Sequence, residues 1–320
     1  MSPKAGKSNG LKIFSGTANL QLARDIAKSV KIPLGEIMVS RFSEGEIRIK
    51  INEDVRGRDV FLIQPTCSPV NENVMELLII LDAFRRASAR RITAVLPYYG
   101  YARQDRKDQP RVPITAKLIA NIITKAGADR VLTMDLHAQQ IQGFFDIPVD
   151  HLYASPVILD YIKKKKLKNL TVVSPDVGGI KMARAYAKGL NADLAIVDKR
   201  RSGPDEVEAM NLIGEVKGRT VLITDDMIST GGSLAEAVNA LVSFGAKDIY
   251  ASCTHAILSG NAVQKLEKTA LKEIVVTDTI PIPPEKRIKK ITVLTVAPLL
   301  GEAIERIHNE ASISSLFNDL

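Results

Sequence analysis

The sequence predicts an α/β protein built from two doubly wound domains, each with a mainly parallel sheet. Three observations predict it. Short β-rich apolar runs alternate with longer segments of helical periodicity along most of the chain. That alternation lays parallel strands under covering helices. The cycle restarts near Tyr153, and 320 residues correspond to about two domains of ordinary size. The expected boundaries are 11–152 and 153–304, with a polar tail at 1–10. No internal sequence repeat is strong enough to prove duplication.

Taken in order, 60–64 reads as a strand and 73–90 as a helix, with Val74, Leu77, Leu78, Leu81 and Phe84 at helical spacing. Strand 92–96, helix 114–126 and strand 131–134 follow. In the second half, 170–173, 194–197, 221–224, 249–252 and 274–277 read as strands. Helices fill the gaps, 179–188 and 234–244 among them. Ligands of such sheets bind beyond the carboxyl ends of the strands, so chemistry is expected just after these runs.

Composition narrows the classes. A hydrophobic share of 45% with 25% charged residues is that of a soluble globular protein. Tryptophan is absent and aromatics make up 5%, which argues against a stacking platform for single-stranded nucleic acid. The net charge of +8 is spread along the chain, apart from Lys163–Lys166 with Lys168, a run that suits a solvated helix end. The surplus is assigned mainly to small phosphorylated ligands. Cys67 and Cys253 lack metal-ligand spacing and are read as reduced thiols of a cytoplasmic protein. Residues 1–10 contain no apolar stretch of signal-peptide type. No apolar run is long enough for a membrane span; 77–81 stops at Asp82.

The stretch 221–233 carries the strongest chemical signal. An apolar run meets Asp225 and Asp226, then Ser229, Thr230, Gly231, Gly232 and Ser233 lead into a helix. Such a loop can aim backbone N–H groups and a helix N-terminus at a phosphate. The acids would repel that phosphate, so they suit hydroxyls or a metal. Together they fit a phosphorylated sugar. A plain turn with Ser233 as N-cap is the competing reading, and the acid pair weighs against it. The loop is not of Walker type, since no Gly-Lys-Ser/Thr follows.

Other strand ends add to this. Asp135 and His137 lie two apart, so in extended chain they share a side and can share a metal or a nucleotide phosphate. A helix-start Asp beside a hydrogen-bonded His explains them equally well. Asp176 precedes Gly178 and Gly179 and can hold a metal or a hydroxyl; a tight turn is the alternative. Lys199 and Arg201 belong to Asp198-Lys199-Arg200-Arg201, placed to neutralise a transferring phosphoryl group. A solvated basic turn would be preferred were it not between two loops of phosphate type. Arg103 can fork onto phosphates and Gln104 can read a base edge. Phe42, Glu44, Gly45 and Glu46 form a segment that could hold an adenosine; alone it reads as a turn between two strands.

Five of these motifs, in this order, resemble the ribose-phosphate pyrophosphokinases of the bacterial and animal class: Arg-Phe-Ser-Glu-Gly-Glu from Arg41, Tyr-Ala-Arg-Gln-Asp from Tyr101, Asp-Leu-His-Ala-Gln-Gln-Ile-Gln-Gly-Phe-Phe from Asp135, Asp-Lys-Arg-Arg from Asp198, and Asp-Asp-Met-Ile-Ser-Thr-Gly-Gly-Ser from Asp225. The Asp135 stretch is highly specific; the Asp225 stretch is shared with phosphoribosyltransferases at large. The resemblance runs from about Leu11 to the C-terminus. It implies two domains of phosphoribosyltransferase type, with the helix at 297–309 and the segment 305–320 crossing back to the first. It implies transfer of the diphosphoryl group of ATP to the C1 hydroxyl of ribose 5-phosphate. Arg201, Asp225, Asp226 and 229–233 would hold ribose 5-phosphate, and Arg103 with Gln104 would contact ATP. Residues 42–46, lent by a neighbouring subunit, would hold adenine. His137 and Asp176, with Asp135 close by, would bind Mg²⁺, although nitrogen is an unusual ligand for so hard an ion. Lys199 and Arg201 would close over the phosphates as the catalytic pair. A homohexamer built of dimers, activation by phosphate and a response to ADP are implied as well.

The chain departs from the family pattern at a few places. Ser229 and Glu44 stand where Asp is usual, Val177 where His or Ile is frequent, and Ser-Gly-Pro follows Arg201. These bear on affinity and regulation more than on the reaction. A non-catalytic regulatory relative would be expected to lack the basic loop or the metal site. A nucleobase phosphoribosyltransferase leaves the Asp135 and Arg103 motifs unexplained. A nucleic-acid binder lacks any recognition motif.

Overall fold

The computed structural model describes residues 10–200 and 209–316, with backbone alone at 199, 200, 209 and 210. It divides into two compact units. The first comprises the chain up to Tyr153 with Thr279–Pro281 and Val296–Leu316; the second comprises Ala154–Asp278 with Ile282–Thr295.

The first unit runs β1 (Leu11–Ser15), α1 (Leu20–Val30), β2 (Ile37–Arg41), β3 (Ile47–Ile51), β4 (Asp59–Ile63), α2 (Val70–Arg86), β5 (Arg91–Leu96), α3 (Thr115–Ala126), β6 (Arg130–Met134) and β7 (Val149–Leu152). Its main sheet is wholly parallel, in the order β1-β4-β5-β6-β7. Interior β4, Asp-Val-Phe-Leu-Ile, is buried at every position, as a strand covered on both faces must be. Val74, Leu77, Leu81 and Phe84 give α2 its buried face, and the rings of Phe14 and Phe84 meet at 4.8 Å. Helix α2 stops at Arg86, short of the predicted Arg90, because Ser88 turns to φ +62°. Strands β2 and β3 form a separate antiparallel pair whose Ile37, Val39, Ile49 and Ile51 pack on the core.

The second unit runs α4 (Ser155–Lys165), β8 (Leu170–Ser174), α5 (Ile180–Leu190), β9 (Asp193–Arg200), β10 (Ala209–Ile213), β11 (Thr220–Ile228), α6 (Gly232–Ser243), β12 (Asp248–Ala256), α7 (Ala262–Glu267), β13 (Leu271–Thr277) and β14 (Ile291–Leu294). The sheet order is β10-β9-β8-β11-β12-β13-β14, and β10 is the antiparallel member. Parallel pairing of β11 with β12 continues to Ile228↔Ala256. Asp225 and Asp226 therefore lie inside the strand, not beyond it.

Helix α8 (Ala297–His308) belongs to the first unit and packs on α1. Gly301 allows this approach, since a Cβ there would fall 2.1 Å from Ser29 Oγ. The fully buried Asp59 accepts from Arg91 Nε at 2.8 Å and meets His308 Nδ1 at 2.7 Å, and Arg91 Nη2 donates to Ile307 O at 3.1 Å.

Candidate active site

In the second unit, the carboxyl end of the sheet gathers the predicted groups. Strand β11 ends at Ile228 and α6 starts at Gly232, so 229–233 is a tight strand-to-helix junction. Gly231 makes it possible at φ +71°; a Cβ there would stand 3.3 Å from Leu266 Cγ and 3.4 Å from Ala262 O. Ser259 N donates to Ser229 O at 2.9 Å, and the two hydroxyls lie 3.3 Å apart. The junction is thus pinned from β12's side, with Thr230 and Ser233 exposed. No side chain caps the first turn of α6. Its N–H groups and the helix dipole face the position an anion would take.

The acids stand beside this cradle. Asp226 N donates to Asp225 Oδ1 at 2.8 Å. Burial and the Asp226 charge push the Asp225 carboxyl up to about 8, with a smaller contribution from Asp176. Asp176 is exposed just past β8, where its Oδ1 accepts from Gly179 N at 2.9 Å and Ser174 Oγ donates to its carbonyl at 2.7 Å. Strands β8 and β11 are neighbours, with Val173 opposite Ile223, which brings the three carboxylates to one end of the sheet. Strand β9 lies on the other side of β8, and Lys199 falls three residues past Ile196, the partner of Ser174. Arg201 lies outside the described residues.

In the first unit, Arg103 and Gln104 are exposed beyond β5. Gln104 is fixed at both ends: its side chain accepts from Thr115 Oγ1 at 2.5 Å and its carbonyl from Ala116 N at 3.1 Å. Asp135 is buried at the end of β6 with φ +39°, and His137 is exposed. Gln140 Nε2 donates to Asp105 Oδ2 at 3.0 Å, joining the Asp135 motif to the Arg103 motif. The predicted turn at 42–46 is the tip of the β2–β3 hairpin. Gly45 sits there at φ +98° in open space, Phe42 is 46% exposed under the Arg48 guanidinium at 5.6 Å, and Glu46 O accepts from Phe42 N at 2.9 Å. Glu44 is exposed, its carboxyl held below the ordinary range by a backbone hydrogen bond and by Ser43. Among the described residues, no three His, Cys, Asp or Glu side chains gather closely enough to hold a metal ion.

Two supporting residues escaped the sequence reading: Ser259, behind Ser229, and His151, whose Nε2 accepts from Leu136 N at 2.9 Å. The scarcity of histidine was the one signal for the second; nothing local marked the first.

An anion cradle beside paired carboxylates, at the carboxyl end of a parallel sheet, is the site of a protein that can hold a phosphorylated, hydroxyl-rich ligand. Comparison with known proteins specifies which. Residues 11–127 match the N-terminal domain of ribose phosphate pyrophosphokinase, and 201–318 match the phosphoribosyl synthetase-associated domain. The chain is 56% identical over 308 residues to the ribose-phosphate pyrophosphokinase of Gloeobacter violaceus, covering 96% of this chain and 93% of that one. It is 55% identical over 308 residues to that of Campylobacter jejuni, covering 96% and 99%. The crystal structure of phosphoribosylpyrophosphate synthetase from Mycobacterium smegmatis superimposes with a TM-score of 0.90 at 42% identity, over 94% of this chain and all of that one. The chain belongs to the ribose-phosphate pyrophosphokinase family.

Proposed function

We infer that the protein transfers the diphosphoryl group of ATP to the C1 hydroxyl of ribose 5-phosphate, giving 5-phosphoribosyl 1-diphosphate and AMP for nucleotide biosynthesis. The observation that carries this reading is the uncapped α6 N-terminus beside Asp225 and Asp226, in a chain that aligns with the family along nearly its whole length. The cradle 229–233 takes the 5-phosphate, and Asp225 and Asp226 face the ring hydroxyls. Arg103 and Gln104 take ATP. The C1 oxygen attacks the β-phosphorus in line. The new O–Pβ bond forms as the bond from Pβ to the bridging α–β oxygen breaks, AMP leaves with that oxygen, and the hydroxyl proton is released to solvent. Positioning and charge neutralisation suffice for such a transfer, without a covalent enzyme intermediate. Lys199 and Arg201 supply the neutralisation.

The donor set also suits Mg²⁺. This ion keeps several waters and leans on one or two carboxylates plus substrate phosphates, which accords with exposed Asp176. Asp176 in the second unit, and His137 with Asp135 in the first, would be the ligand positions, each within its own unit. When bound, the ion would offset charge on the diphosphoryl oxygens.

The same reading makes the protein a cytoplasmic homo-oligomer, a homohexamer built of dimers. Each exposed hairpin tip, with Phe42, Glu44, Gly45 and Glu46, serves the adenine of a neighbouring subunit. No helix among the described residues is long and apolar enough to cross a membrane.

One incubation of the protein with ATP, Mg²⁺ and ribose 5-phosphate, resolved by nucleotide chromatography, tests the reading. AMP is expected in step with ribose 5-phosphate consumed; ADP as the product would refute diphosphoryl transfer. Lys199→Ala should lower kcat at least ~100-fold, the scale of a lost transition-state contact, while ATP binding changes little. A near-normal rate in that variant removes Lys199 from catalysis.

A further inference from the structure

We propose that His151 is a positioning residue for the reaction, bracing the turn at Asp135 and Leu136 so that Asp135 and His137 keep the geometry that receives the nucleotide–metal complex. The inference rests on the role given to those two residues above. Its starting point is a backbone that needs support. Strands β6 and β7 pair in parallel with Thr133 opposite His151 and Met134 opposite Leu152. One residue later the chain leaves the ladder, because Asp135 adopts φ +39°. A residue with a Cβ persists in that left-handed region only where its surroundings over-determine it, and such residues concentrate at functional sites.

Two bonds from β7 hold this turn. Asp135 N donates to Leu152 O at 3.0 Å, which any residue at 152 would provide. Leu136 N donates to His151 Nε2 at 2.9 Å, which depends on the side chain. Leu136 is buried, so its N–H has little recourse to water. With Nε2 accepting, the ring proton sits on Nδ1. The side-chain amide of Gln142 lies 3.3 Å from that nitrogen, and the ring packs on Tyr153 at a centroid distance of 4.7 Å. Gln142 belongs to the 3₁₀ segment Gln139–Phe144. One buried imidazole therefore ties down the start of this loop, while Gln142 only packs beside its Nδ1 edge. Leu136 lies between Asp135 and His137, so a change at its N–H bond rotates both neighbours.

His151→Phe keeps the ring volume and removes the acceptor. His151→Gln keeps an acceptor at similar reach. The test titrates each variant with ATP and Mg²⁺ by calorimetry, without ribose 5-phosphate, and measures the KM for ribose 5-phosphate separately. Loss of a residue that orients metal-site ligands weakens binding about 10–100-fold, and that loss is expected for Mg·ATP in His151→Phe. His151→Gln should return to within about threefold of the parent. The KM for ribose 5-phosphate should stay within about twofold, because the 229–233 cradle lies in the other unit. Should His151→Phe not fold, His151→Leu takes its place and must show the same loss. Normal Mg·ATP affinity in His151→Phe with weakened affinity in His137→Ala overturns the brace and leaves the role of His137 standing. Normal affinity in both rejects the role of the segment and the brace with it. Equal loss in His151→Phe and His151→Gln, or an equal rise in both substrate constants, also overturns the brace, since it marks general damage.

Discussion

Asp225 is half-buried beside the Asp226 charge, and both effects hold its proton up to about pH 8 instead of letting it leave near 4. The sign of the consequence is fixed by linkage. Between pH 4 and 8 the unfolded chain has lost this proton and the folded chain has kept it. The unfolded state thus binds fewer protons, and stability falls as pH rises through that window. Asp225→Asn is neutral at every pH and escapes the penalty. In the absence of metal and ligand, the variant's Tm should exceed the parent's by a margin that is near zero at pH 4 and grows to pH 8. A margin independent of pH would show that Asp225 ionises normally. The same variant should bind ribose 5-phosphate less well, since the carboxylate is placed to accept from ring hydroxyls. The acid pair itself was legible in the sequence; its proton affinity was not. That property comes from burial and from the Asp226 charge in the folded strand, and the two acids in turn raise the Cys253 thiol well above its ordinary range, after burial itself.

The junction between β11 and α6 shows what pattern reading can and cannot resolve. Hydroxyls and glycines between an apolar run and a helical period marked the loop correctly. The apolar run broke at Asp225, so the strand was ended at Thr224, yet pairing with β12 carries it to Ile228. Hydrogen bonds to a neighbour, absent from any local window, decided the boundary. Strand β9 behaves the same way, extending to Arg200 because β10 pairs with it in antiparallel register, Lys199 against Met210. Edge strands such as β14, with only four residues, are too short to show a period. Gly231 was named for its chemistry, but its necessity lies in packing. At φ +71° any Cβ is strained, and this one would press on Leu266 and Ala262. Gly231→Ala should therefore cost about 1–2 kcal/mol by denaturant titration. Because the strain relaxes by moving the cradle, the KM for ribose 5-phosphate should rise while Mg·ATP binding is spared. Unchanged stability would mean the loop tolerates the methyl group, and the φ argument would fall.

On the scale of the molecule, the chain closes its first unit with its last helix. Leu300, Ala303, Ile304 and Ile307 mark α8 as amphipathic, but nothing in their spacing states which core receives them. The complement is the buried face of α1, with Leu22, Ile26 and Val30. The Ser29–Ala297 hydrogen bond at 3.4 Å spans 268 residues of sequence. Apolar surface on both helices drives the contact, and the Asp59–Arg91–His308 cluster gives it a fixed register. Removing one member of a buried, hydrogen-bonded charge cluster is far costlier than its net contribution, because the partner charge is left without compensation. Asp59 is fully buried, so Asp59→Ala should lower stability by about 3–5 kcal/mol in denaturant titration. Ending the chain at Thr295 removes α8 entirely and uncovers the apolar face of α1. The second unit, which takes its strands from Ala154–Asp278 and Ile282–Thr295, keeps all of its sheet in that truncation. Limited proteolysis of the truncated chain should then degrade the first unit and leave a resistant fragment beginning near Ala154. Should the first unit survive digestion as it does in the intact chain, α8 would be an ornament of that core and not a part of it.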